Sequence, residues 1–188
     1  DLRQGADKRS ERAELAIGRL LMPRRVIAVL LAAPCINSGG LEMAMSCDIR
    51  IAADHARVGS PEVKLGWIGG GGMAVNLAHA IGPSNAALMI MTGDAIDAAT
   101  AERWGLVSRV VPQADLLAEA KRIAQTIASR APIAAETAKL NLRAAWEMSI
   151  ADAIGYERDL QTICFATDDA KEGRAAFKEK RAPVFRRR

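Results

Sequence analysis

From Val26 onward the chain alternates unbroken apolar runs with segments whose apolar residues recur every three or four positions. The run "VIAVLLAA" (26–33) has strand length and reads as a buried strand. "PCINSGG" reads as a loop, and "GLEMAMS" as a short buried helix. "DIRIAA" alternates apolar and polar residues up to Asp54 and predicts a second strand. Upstream, Ser10 is placed to cap a helix reaching about Met22, with Leu15, Leu20 and Leu21 on one side and Pro23 at its end.

Beyond the second strand the signals become helical. The four glycines 69–72 form a loop, and "MAVNLAHAI" predicts a helix closed by Gly82. "PSNAALMIMTG" predicts another, with Pro83 at its start and Gly93 past its end. Asp97 caps "AATAERW", which Gly105 terminates, and "LVSRVV" reads as a short strand. After Pro112 the pattern is almost all helix, over about 114–130, 133–147, 150–166 and 170–181. Asp169 and Glu172 have capping-box spacing for the last of these. The fold class expected is α/β (α+β): a mixed core over residues 1–130, then a helical region over 131–188 that packs onto a partner subunit.

Half of the 188 residues are hydrophobic and 4% are aromatic, which favours a sizeable, helix-rich core. Cys35, Cys47 and Cys164 have no metal-ligand spacing and read as buried thiols of a reducing compartment. No apolar run approaches the roughly twenty residues of a membrane span. The polar start "DLRQGADKRSER" does not read as a secretory signal, so a cytoplasmic location is expected. The net charge of +4 is concentrated at the end, where residues 171–188 hold eight Lys or Arg and two Glu. That end reads either as a solvated helix with a frayed tail or as a site for a polyanion; nucleic acid is the less favoured polyanion.

The chemistry concentrates in "SGGLEMAMSCDIRIAADHARVGSPEVKLG" (38–66). Gly39 and Gly40 allow close backbone approach to a ligand, and the first amides of a helix have no intrahelical partner. Those amides either hold an oxyanion or simply serve a tight turn. Glu42 lies between Leu41 and Met43, where burial is expected. Glu62 follows Pro61, twenty positions later. Two acids facing one cavity would repel, and one would serve as base and the other as acid. His55 and His79 lack ligand spacing, so no metal is expected. The glycines 69–72 match neither a P-loop nor a dinucleotide fingerprint. Trp67, Trp104 and Trp146 read as core or interface residues, and Met43, Met45, Met89 and Met91 as core packing.

Taken with "GGGG", "TGDAIDAATAERWGLVSRVV" and "FATDDAKEGRAAFKEKR", this stretch resembles the crotonase, or enoyl-CoA hydratase/isomerase, superfamily, from Val26 to Arg181. The resemblance implies a spiral of ββα turns, followed by helices that build a homotrimer or a dimer of trimers. It implies an acyl-CoA thioester as substrate and no separate cofactor, coenzyme A being part of the substrate. Glu42 matches the first catalytic acid and Glu62 the second. Gly39 matches an oxyanion-hole amide, with Gly40 beside it. Lys180 matches a lysine that reaches the CoA phosphates. The reaction implied is hydration of 2-trans-enoyl-CoA, with an enoyl-CoA isomerase or a catalytically silent CoA-binding subunit as alternatives.

The chain also departs from the family pattern. It starts late, so an N-terminally incomplete spiral is expected. If Asp1 ends the usual "AGADL"-type motif, the second oxyanion amide is absent; a rival register over Gly5–Asp7 makes Ala6 the donor. Ser38 stands where the family has a glycine, Gly69 where it prefers proline, and Val58 where phenylalanine is frequent.

Overall fold

The structure, a computed structural model, describes residues 28–31 and 36–188. The helix expected over 10–22 and the oxyanion candidate Ala6 lie outside the described residues. The described chain divides into two compact units, one ending at Ala124 and one beginning at Gln125.

The first unit is built from repeated strand–strand–helix passages. β1 (Ala28–Leu31) is followed by β2 (Ile36–Asn37) and α1 (Gly39–Met45). The next passage runs through β3 (Ile49–Ala53), β4 (Arg57–Gly59) and a 3-10 turn (Pro61–Leu65) to α2 (Met73–Ile81) and α3 (Pro83–Thr92). β5 (Ile96–Asp97), α4 (Ala98–Arg103) and β6 (Arg109–Val111) form a third passage. Each passage adds a strand to each of two sheets, ordered β1-β3-β6 and β2-β4-β5. All pairings are parallel except β4–β5.

Helix punctuation follows local chemistry. Asp97 caps α4 by accepting the Thr100 amide, and Pro83 takes the first position of α3, where a missing N–H costs nothing. Gly93 ends α3 in the left-handed conformation. The core is small and tight. Ile51, Ala52, Ala53 and Val58 are fully buried with Leu41, Met73, Leu77 and Met89. Alanines at 44, 52, 53, 98 and 101 let helices approach the strands closely.

Some expectations are corrected here. The loop predicted over "PCINSGG" contains β2 and the first residues of α1. Strand β6 covers only 109–111 of "LVSRVV"; the preceding turn is tied to β3, Arg50 Nε donating to the Leu106 carbonyl and the Ser108 amide to the Arg50 carbonyl. Met43 and Met91 are exposed, not core, whereas Met45 and Met89 are buried. Trp67 and Trp146 are exposed too, so a core role is left only to Trp104, which packs against the core. Cys47 and Cys164 are in no disulfide and are half-buried rather than buried.

Helix α5 (Leu116–Ala128) spans the division between the units. The second unit then consists of α6 (Pro132–Glu147), α7 (Ile150–Ala166), α8 (Asp168–Glu179) and the tail after it. Thr137 and Cys164 lie 3.0 Å apart between α6 and α7. Helix α8 begins two residues earlier than expected, capped by Thr167, whose hydroxyl accepts the Ala170 amide at 3.0 Å. Asp169 and Glu172 therefore form no capping box. Buried Asp169 accepts the Arg186 and Arg187 amides at 2.7 and 2.8 Å. Glu172 takes the Arg181 guanidinium at 2.5 and 2.9 Å and the Val184 amide at 2.8 Å. The tail is thus strapped to its helix, not frayed. Among the described residues no helix is long and apolar enough to cross a membrane.

Candidate active site

The two acids singled out in the sequence leave one sheet side by side. Strands β2 and β4 run parallel, with Ile36 opposite Val58 and Asn37 opposite Gly59. Glu42 follows five residues after Asn37 on α1, and Glu62 three after Gly59 on the 3-10 turn. Both carboxylates are therefore carried away from the carboxyl ends of adjacent parallel strands, where open sheets of this kind place their ligands. Gly59 makes the pairing possible. A Cβ there would lie 2.9 Å from Asn37 Oδ1 and 3.1 Å from the Ala95 Cβ.

Glu42 is half-buried on a helix of seven residues. Its Oε1 accepts the Gly71 amide at 2.6 Å. A Cβ on Gly71 would come within 2.5 Å of Glu42 Oε2, and one on Gly69 within 2.9 Å of Oε1. The glycine loop is thus shaped around this carboxylate, and Gly69, the departure from proline, belongs to that shape. The other end of α1 is pinned by Arg50, whose Nη1 donates to the Cys47 carbonyl at 2.8 Å. Burial pushes the Arg50 guanidinium below its ordinary value.

Glu62 is 5% exposed. Its Oε2 accepts the Ser60 hydroxyl at 2.9 Å, and Ser60 is buried with it. A buried carboxyl without such a partner would cost several kcal/mol, on the order of the penalty for an unpaired polar group. Neither Ser60 nor Gly71 stood out in the sequence. A serine two residues before an acid after a strand was the available signal for the first; the contact across 29 positions had none.

Gly39 opens α1, so no intrahelical carbonyl reaches its amide, and a Cβ there would meet nothing within 4 Å. Gly40 lies one residue on, its face against the Ile36 side chain. Ser38 precedes them at φ 55° and ψ −128°, a conformation that favours glycine. Its carbonyl accepts the Glu42 amide at 3.1 Å. Lys180 belongs to the second unit, where it ends α8 as a left-handed cap with φ 55°. Among the described residues no group of three or more His, Cys, Asp or Glu is placed to hold a metal ion. The arrangement can hold an acid–base pair, each carboxyl tethered by one oxygen.

The enoyl-CoA hydratase/isomerase family matches residues 22–188. A relative described as the probable enoyl-CoA hydratase echA8 of Mycobacterium bovis is 51% identical over 150 residues, 80% of this chain and 58% of that protein. The protein of the same description from Mycobacterium leprae is 46% identical over 173 residues, 92% of this chain and 67% of the relative. The chain thus spans about three-fifths to two-thirds of the length of these relatives. The crystal structure of an enoyl-CoA hydratase from Bacillus anthracis superposes with a TM-score of 0.82 at 32% identity, covering 98% of this chain and 73% of that one.

Proposed function

The chain belongs to the enoyl-CoA hydratase/isomerase family and has its crotonase fold; from that premise we propose that it hydrates 2-trans-enoyl-CoA to 3-hydroxyacyl-CoA, with Glu42 and Glu62 as the acid–base pair. The observation that carries this reading is the pair of tethered carboxylates at the ends of β2 and β4. The Gly39 amide, with Gly40 beside it, receives the thioester oxygen, and each such donor contributes on the order of 3 kcal/mol to the transition state. Polarising that carbonyl makes C3 electrophilic. Glu42 takes one proton from water as its oxygen bonds to C3, and Glu62 delivers one proton to C2. The double bond is consumed, one water is added, and the two acids exchange protons with solvent to reset. An isomerase needs only a proton shuttle along the acyl chain; two separately tethered acids favour the addition of water.

Lys180, exposed at the end of α8, binds a phosphate of coenzyme A in this reading. The helical unit builds a homotrimer, or a dimer of trimers, through large apolar side chains exposed on it, among them Leu142 and Ile150. Cys47 and Cys164, which are in no disulfide, fit a cytoplasmic setting.

The test is loss of the conjugated-thioester absorbance of crotonyl-CoA, in wild type and in Glu42→Gln and Glu62→Gln. Both variants are expected to lose kcat by about 100-fold or more. Wild-type turnover in Glu62→Gln would remove it from the proton-donor role. Calorimetric binding of acetyl-CoA without any turnover in wild type would favour a silent CoA-binding subunit.

A further inference from the structure

Ser60 occupies the position just before the 3-10 turn at 61–65, where a serine ordinarily accepts a backbone amide of that turn. It makes no such cap bond. Its hydroxyl instead donates to Glu62 Oε2 at 2.9 Å, with Ser60 2% and Glu62 5% exposed. The backbone on both sides is fixed. Gly59 is wedged against Asn37 and Ala95, and Pro61 locks the next φ. The direction in which the Ser60 side chain leaves the backbone is therefore built in, and its hydroxyl meets Glu62 in place of a cap bond.

We propose that Ser60 is a positioning residue for Glu62: its hydroxyl occupies Oε2, so that Oε1 is the oxygen that carries the proton bound for C2. This rests on the hydration reading above. The bond survives either protonation state of the acid, because the hydroxyl donates to the oxygen that does not hold the proton. Without it the carboxyl rotates about its last torsion, and the proton spends most of its time aimed away from the substrate. Ground-state binding of the thioester, which uses amides and phosphate contacts elsewhere, is untouched.

The experiment measures crotonyl-CoA hydration by the intact protein carrying Ser60→Ala, Ser60→Thr or Ser60→Cys, each also combined with Glu62→Gln. Ser60→Ala should lower kcat by about 10- to 100-fold, with KM within about twofold of wild type. Ser60→Thr, which restores a hydroxyl, should recover most of the rate, and Ser60→Cys, a weaker donor, should fall between. Adding Ser60→Ala to Glu62→Gln should cost nothing further, because the group being aimed is gone. Wild-type kcat in Ser60→Ala beside an impaired Glu62→Gln overturns the proposal, as does an equal loss from Ser60→Ala in both backgrounds. Should the alanine variant unfold, the threonine and cysteine variants decide: the order threonine above cysteine supports the role, and equal rates overturn it. Full activity in Glu62→Gln alone is the separate outcome that removes the hydration reading itself.

Discussion

A methyl group added to Gly71 would enter the space that the Glu42 carboxylate fills. Gly70, one residue earlier, has nothing within 4 Å of the same position. The pair gives a controlled test. Gly71→Ala is expected to cut kcat for crotonyl-CoA by about 100-fold, the scale of an ångström-sized misplacement, while Gly70→Ala stays near wild type. Equal rates for both would show that Glu42 needs no room there. Ser38 offers a test of stability instead. Its conformation costs a non-glycine residue about 1–3 kcal/mol, against which glycine brings about 0.5–1 kcal/mol of added chain entropy. Ser38→Gly should therefore stabilise by about 1 kcal/mol, read as a rise of a few degrees in Tm; a fall would show that the serine is not strained. The two acids were legible in the sequence because each stands in an apolar setting after a glycine or proline. Their anchors were not. Gly71 meets Glu42 only through the fold, and nothing in the sequence turns the Ser60 hydroxyl to Glu62 rather than to the backbone of the turn it precedes.

At the level of elements, the strap over α8 has a pH dependence that follows from Glu172. The Arg181 hydrogen bond holds Glu172 at about 2, down from an ordinary 4.5. A depressed acid stabilises the fold fully above the ordinary value and loses that contribution as pH falls through the depressed one. The Val184 amide, which Glu172 accepts, should thus keep its protection from exchange above about pH 4.5 and lose it toward pH 2. Protection unchanged down to pH 2 would mean that the tail is held without Glu172. Helices were the most legible elements, because Asp97, Pro83 and Gly93 mark their ends by local chemistry. The short strands β2, β4 and β5 were not, since two or three residues cannot display alternation and β4 ends on a glycine. The spacing of Asp169 and Glu172 misled for a different reason: Thr167 caps the helix first, which frees both acids to bind backbone from the tail.

For the whole molecule, the helical unit exposes large aliphatic side chains that a lone chain would leave in water. On the assembly proposed above, a trimer or a dimer of trimers, Leu142→Asp with Ile150→Asp is expected to shift sedimentation toward a monomer, without loss of helical signal. An unchanged sedimentation coefficient would put the subunit contact elsewhere. The first unit carries a consequence of another kind. Because β2 and β4 share a register, with Gly59 wedged beneath Asn37, the two acids inherit their spacing from main chain and not from each other. Reagent and frame are then separately editable: exchanging the side chain at 42 or 62 would alter the acid while the strands and glycines that place it kept their positions, so, on the function proposed above, one skeleton can be retooled for neighbouring reactions by single replacements.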